Sequence, residues 1–471
     1  MREKRVGVCF GIALMFFTSI CFADSSAPIC GPDRSEVAVI GGGGAGVTTA
    51  WLLDDQYKVT LFENTNRLGG HAHTIPVEMN GKSYPIDAGF EFIAKPEFPY
   101  FFSLLKTLDV PLSPFQLTVS FFDHEDRYNF VVTPISKDRW ALGSLLKPYN
   151  LITILRLKYV FEKAKKYVGS TNAKDEVEIS RTLESFTDTL SLSRKYKNQF
   201  LYPFLASGWG VSREEIKKFS AYYLFATLLT ASNGYTAPEW IEIVGGTSTY
   251  IRAAESQLQC SSVKLNSNIS RISKSDDQFV VTTDDGTDYR FKHLVLAVPL
   301  HQVRDLLKEL PEFAELSSVV DKVKYYQSTL VLHGDERFMP KDHSHWSVVN
   351  MRSANQGSQS SFTVYKPWLS PTPIFKSWIL PGDPEPLPLY AKAQYHHPLL
   401  DQAYINSQKT IAEYQGRSGI WFAGVHTQGT NRHESAVLSA IQVAERIAPS
   451  SARLMKVLSL VGETKKRYNL R

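Results

Sequence analysis

The run GGGGAG at residues 41–46 has the spacing of a phosphate cradle. Gly41 permits a tight turn, Gly43 lets backbone approach a pyrophosphate, and Gly46 lets a helix pack close on a strand. Gly44 and Ala45 then fall at a helix N-terminus, where free N–H groups and the helix dipole favour anions. Glu63, about 20 residues on, is placed to accept the two hydroxyls of a ribose. Together these residues predict dinucleotide binding; the competing reading is a glycine-rich turn beside an incidental surface glutamate.

The elements that must position them are legible nearby. Residues 36–40 (EVAVI) read as a strand, 47–53 as a buried helix and 58–63 as a second strand, a β-turn-α-β unit of about 30 residues. From residue 93 to 240 the texture becomes helical and aromatic, with long patterns at 151–168 and 214–230. Residues 262–272 and 279–283 alternate, a turn follows at 284–286, and 294–298 reads as a core strand. After an excursion over 301–418, a strand at 420–423 runs into Gly424 and a helix over 434–447. The division expected is a leader at 1–23, nucleotide-domain segments at 35–95, 241–300 and 419–449, a helical substrate or cap domain at 96–240, a second substrate segment at 301–418 and a tail at 450–471. The class is α/β.

The stretch Glu63, Asn64, Arg67, Leu68, Gly69, Gly70 and His71 resembles the flavin amine oxidase and phytoene desaturase superfamily. The resemblance implies FAD, with the glutamate, the arginine and the glycine pair wrapping its ribose and pyrophosphate. It extends to residues 86–90, where Gly89 and Phe90 would pass near the isoalloxazine ring, and to Ile269, whose backbone would hold adenine. It closes on residues 421–424, with Gly424, Val425 and the helix start at Glu434, Ser435, Ala436 and Val437 receiving the pyrophosphate and pyrimidine end. The implied fold is an FAD-binding Rossmann-like domain of three layers, β/β/α, with an inserted mixed α+β substrate domain. Gly70-His71, residues 331–333, Met339-Pro340, His397-Pro398 and His433-Glu434 are most similar to a bacterial branch of amine-oxidase-like flavoproteins and to an extension on some cyclopropane fatty acid synthases.

Three departures weaken amine chemistry in particular. Val425 replaces a glutamate common after the closing FAG, Arg432 falls where amine oxidases place a cage aromatic, and the lysine many of them carry near the flavin would fall close to Thr329. The expectation is therefore an FAD-dependent oxidoreductase taking hydride from a mostly apolar substrate, a lipid or acyl chain above others. Amine or amino-acid oxidation and an inert secreted flavin-binding protein are the alternatives. No catalytic side chain and no metal site is assigned. His71 and His73 could approach the flavin or be solvated loop residues, and Tyr222, Tyr223 and Phe225 could line a tunnel or belong to the core.

Composition bounds the rest. A chain of 471 residues with 43% hydrophobic content is globular, and its charge of +5 falls to +3 once Arg2, Glu3, Lys4 and Arg5 are set aside with the leader. Nothing in that balance calls for nucleic acid. A basic start, an apolar run over 6–22 and Ala23 read as a cleaved export signal, which implies a periplasmic or secreted protein; an uncleaved anchor is the alternative. Cys30 and Cys260 remain as a pair that could be oxidised outside the cytoplasm or stay as two thiols. The tail over 453–471 could touch a membrane peripherally or form a docked or frayed helix.

Overall fold

Short β-branched runs make the centre of the molecule because both of their faces are covered. The computed structural model describes residues 34–123, 129–133, 148–172, 175–230, 240–429, 432–468 and 470. In it β1 (Glu36–Ile40), β2 (Lys58–Phe62), β3 (Ser262–Lys264), β4 (His293–Leu296) and β5 (Ile420–Phe422) form one parallel sheet in the order β3-β2-β1-β4-β5. Helices α1 (Gly44–Leu53), α2 (Pro99–Thr107), α3 (Pro148–Ser170), α4 (His433–Ile447) and α5 (Ala452–Arg467) matter below. All of α1 is buried, and Val39 of the sheet shares one apolar core with Val47 of α1 and Val437 and Ile441 of α4. On the other face lies an antiparallel meander of Ile269–Ser275, Gln278–Thr283 and Asp288–Phe291. There Phe62 meets Tyr289 and Phe291 edge-on. This is the expected three-layer fold.

The second body is a mixed seven-stranded sheet, in spatial order Leu389–Pro398, Tyr325–His333, Phe375–Trp378, Gln359–Tyr365, Val349–Ala354, Val119–Asp123 and Asn129–Thr133. Its last two strands come from residues 96–240, so that segment is not helical throughout. Val119–Asp123 pairs in parallel with Val349–Ala354, and Leu112–Phe115 pairs with Trp240–Ile243. The helical pattern over 214–230 is likewise two helices, Arg213–Ile216 and Ala221–Thr230, because Ser220 takes the Tyr223 N–H and starts the second. The alternation over 262–272 divides between two sheets where Asn266 turns the chain at φ 52°.

The tail is a docked helix. Leu454, Val457 and Val461 of α5 are buried, Ser451 caps it, and Arg453 pairs with the buried Asp54 at 3.1 Å. The leader at 1–23 and Cys30 lie outside the described residues. Cys260 is disulfide-bonded.

Candidate cofactor and active site

The chain leaves β1 into a left-handed turn at Gly41, φ +104°, whose N–H donates to Phe62 O at 2.8 Å. A Cβ at Gly46 would stand 1.8 Å from Gly41 O, so the helix lies on the turn only without one. A Cβ at Gly43 would meet nothing within 4 Å, so the backbone there borders open space. The N-terminus of α1 opens into the same region and carries no acidic residue in its first turn.

The second glycine pair closes the turn from the other side. Gly69 N–H donates to Gly42 O at 2.7 Å, and Gly69 and Gly70 both have positive φ. Glu63 is held rigidly: one carboxylate oxygen accepts from Gly42 N at 2.8 Å, the other from Thr65 N and its hydroxyl. Arg67 donates to Leu68 O and Gly70 O, bracing the glycine pair. Asn64 is exposed at the rim, and Leu68 lies buried under Gly42. Ile269 is in the core at the start of the meander, while the preceding Ser267 N–H donates to Glu63 O.

From the far end, Gly424 at φ +145° donates to Ser439 Oγ of α4. Val425 follows, half-buried, and its carbonyl accepts from Tyr404. His426, which sequence reasoning missed, is 3% exposed, and its Nε2 has no hydrogen-bond partner. A buried imidazole nitrogen without a partner fits a polar cofactor edge beside Gly424. Ser435 and Ala436 lie at the start of α4, which meets α1: a Cβ at Gly44 would stand 2.5 Å from His433 Cε1.

Two of the residues expected around the cofactor have their side chains engaged within the fold. Both oxygens of Glu434 are taken by the N–H groups of Tyr100 and Phe101, so its side chain caps α2 rather than facing a ligand. Val437 is 0% exposed and belongs to the core against α1. Of the aromatic stripe, Phe225 is core against Phe161 and Phe186, whereas Tyr222 and Tyr223 are half-buried.

Beyond Gly70 the site becomes a cluster of imidazoles and phenols. His71 stacks on Tyr395 with ring centroids 4.7 Å apart and lies 5.1 Å from His397. Solvent reaches its ring although protein surrounds it, as befits a side chain lining an interior space. Gly89 packs directly on the His71 carbonyl, and Phe90 stacks on His433 at 3.9 Å. His433 is bonded to Tyr250 and His73 to Tyr395. Desolvation holds His71, His73 and His426 down to about 4 and His397 and His433 to about 3. All five are neutral at pH 7.

That neutrality has a stability consequence with a definite sign. A histidine whose folded pKa lies below its ordinary 6.5 contributes stability that is complete above pH 6.5 and is lost as pH falls through about 4. Glu434, raised by burial to about 7, acts oppositely: its contribution, complete below 4.5, is lost as pH rises through 7. Five groups outweigh one, so the melting temperature should fall between pH 6.5 and 4. His426→Gln should flatten that fall by about 3 kcal/mol at full protonation. An unchanged acid limb in thermal melts across that range would contradict it.

The ring segment also rests on a buried charge network. Lys366 bridges Glu91 at 2.7 Å and Glu242 at 2.8 Å, and Lys376 pairs with Glu91 and donates to Gly89 O at 3.0 Å. Burial holds the Lys376 amine down to about 7. These side chains border a cavity of about 190 Å³ with Asp87 and Ile86. Thr329, close to which the family lysine was expected, is on the strand Tyr325–His333, and Lys376 arrives from the neighbouring strand, in register with Leu332. Arg432, which the sequence comparison set at the cage position, is ion-paired with the buried Glu97 and lies 4.4 Å over the Phe98 ring.

Residues 45–371 match the family described as flavin containing amine oxidoreductase. No curated protein matches the chain. Among solved structures, a CLA-producing fatty acid isomerase from P. acnes is similar with a TM-score of 0.65 at 15% identity, over 88% of this chain and 99% of that one. A wild-type putrescine oxidase bound to putrescine gives 0.62 at 15% identity, over 88% and 99%. Cyclohexylamine oxidase from Brevibacterium oxydans IH-35A gives 0.60 at 15% identity, over 92% and 100%. With the glycine cradle, the oriented Glu63 and the family match over most of its length, the chain belongs to the flavin-containing amine oxidoreductases and is an FAD-dependent oxidoreductase.

Proposed function

We propose that this oxidoreductase removes hydrogen from a C–H bond of a mostly apolar substrate, with a lipid or acyl chain as the class. The observation that carries this reading is the fate of Arg432: at the position of an amine cage its charge is spent on Glu97 and its plane on Phe98. Bound FAD supplies a two-electron acceptor, which molecular oxygen or another oxidant then restores. The protein's part is to hold the substrate. Half-buried Phe204, Trp209 and Tyr326 give its substrate side apolar surface, and Tyr326 is fixed by its bond to Trp209 O. His71 and His397, neutral and within ring contact of each other, offer a polar but uncharged wall that can orient such a substrate.

The reading is tested by mixing the purified yellow protein anaerobically with a substrate panel and following the flavin absorbance. Unsaturated or cyclopropane-bearing fatty acids and phospholipids should bleach it, and primary amines and polyamines should not. Bleaching by the amines alone would overturn the assignment in favour of amine oxidation.

A further inference from the structure

The outer face of α3 is apolar where a surface helix is ordinarily polar. Thr153, Leu157, Val160 and Ala164 form its buried stripe. At about 100° per residue, Leu151, Ile152 and Leu155 fall opposite that stripe. They are 49%, 46% and 56% exposed. Cations flank the ridge: by the same geometry Arg156 lies on one side and Lys158 on the other, with Lys163 and Lys166 further along. None of these four makes an ion pair among the described residues, and Glu162 is the only carboxylate on the helix.

We infer that this face docks on an anionic phospholipid bilayer. The charge is complementary to anionic headgroups, and an apolar ridge between cations is the pattern of a helix lying in the interface plane. A single convex ridge of three aliphatic side chains is far short of the roughly 800 Å² per partner that a stable protein interface buries. No helix among the described residues is long and apolar enough to cross a membrane, so the contact is peripheral. The membrane contact thus belongs to α3, while α5 is held in the core.

The test uses the mature flavoprotein in co-sedimentation with phosphatidylglycerol–phosphatidylcholine vesicles and with phosphatidylcholine vesicles alone. Binding should require the anionic lipid and weaken at high salt. Lys158→Glu with Lys166→Glu should reduce it at least about tenfold, and Leu151→Gln with Leu155→Gln should reduce it by a similar factor. Flavin content and thermal melting should be unchanged in both, because these side chains touch neither cofactor segment nor core. Equal binding to neutral vesicles, no binding to either, or variants that bind like the parent would overturn the proposal. So would a parent that is dimeric by sedimentation and variants that are monomeric, which would assign the face to a second copy.

Discussion

A Gly43→Glu chain is expected to fold normally and purify without colour. A Cβ at this position meets no protein atom within 4 Å, so the turn accepts a side chain there. The space it enters is the one that the Gly41–Gly46 turn and the helix start reserve for a pyrophosphate, and the added carboxylate repels that group as well as displacing it. FAD affinity should drop at least about a hundredfold, or about 3 kcal/mol. Gly46→Ala is the contrasting case, since its Cβ would collide with Gly41 O at 1.8 Å and cost more than about 4 kcal/mol. Absorbance spectra and thermal melts of the two variants separate the roles. Full flavin occupancy in the Gly43 variant would remove the cofactor from this turn.

The largest effect on stability should come from Lys366→Met. Its ammonium is the shared partner of Glu91 and Glu242, and all three side chains are about nine-tenths buried or more. Among the described residues, removing it leaves Glu242 with only the Trp368 N–H and Glu91 with Lys376 alone. Breaking a buried pair from one side costs about 3–5 kcal/mol, because the remaining charge stays desolvated. The melting temperature should drop by roughly 3–5 °C. Replacing Lys366 and Glu242 together, with Met and Leu, should recover much of the loss. A single variant as stable as the parent would mean that Glu91 and Glu242 are held by other groups.

The sequence displayed best what is fixed locally. The GGGGAG turn, the strand that ends at Glu63 and the Gly69-Gly70 pair lie within 30 residues, and each glycine answers a nearby backbone constraint. The side-chain contacts of Glu434 and Val437 were not legible because partners far along the chain decide them: α2 takes the carboxylate, and α1 covers the valine. The Glu91–Lys366–Glu242–Lys376 network had no sequence signal, since it is assembled by cross-strand register such as Leu332 opposite Lys376. Val119–Asp123 was absorbed into a helical texture because a five-residue apolar run among helices has no period of its own. His426 could have been noticed as a titratable residue two positions after Gly424, but only burial gives it meaning.

The nucleotide sheet is woven from three stretches of chain, and its central pairing sets Val37 against His293. Folding must close loops of that length before the sheet rewards them, so the search is entropically costly and slow. The outer strand β5 and α4 follow the rest of the sheet in the chain, and α4 shields the start of α1. No contiguous fragment therefore carries a complete cradle, and a ribosome-bound or truncated chain has nothing to close over a flavin. A complete cradle requires β5 and α4 to dock on the strands that precede them in the chain.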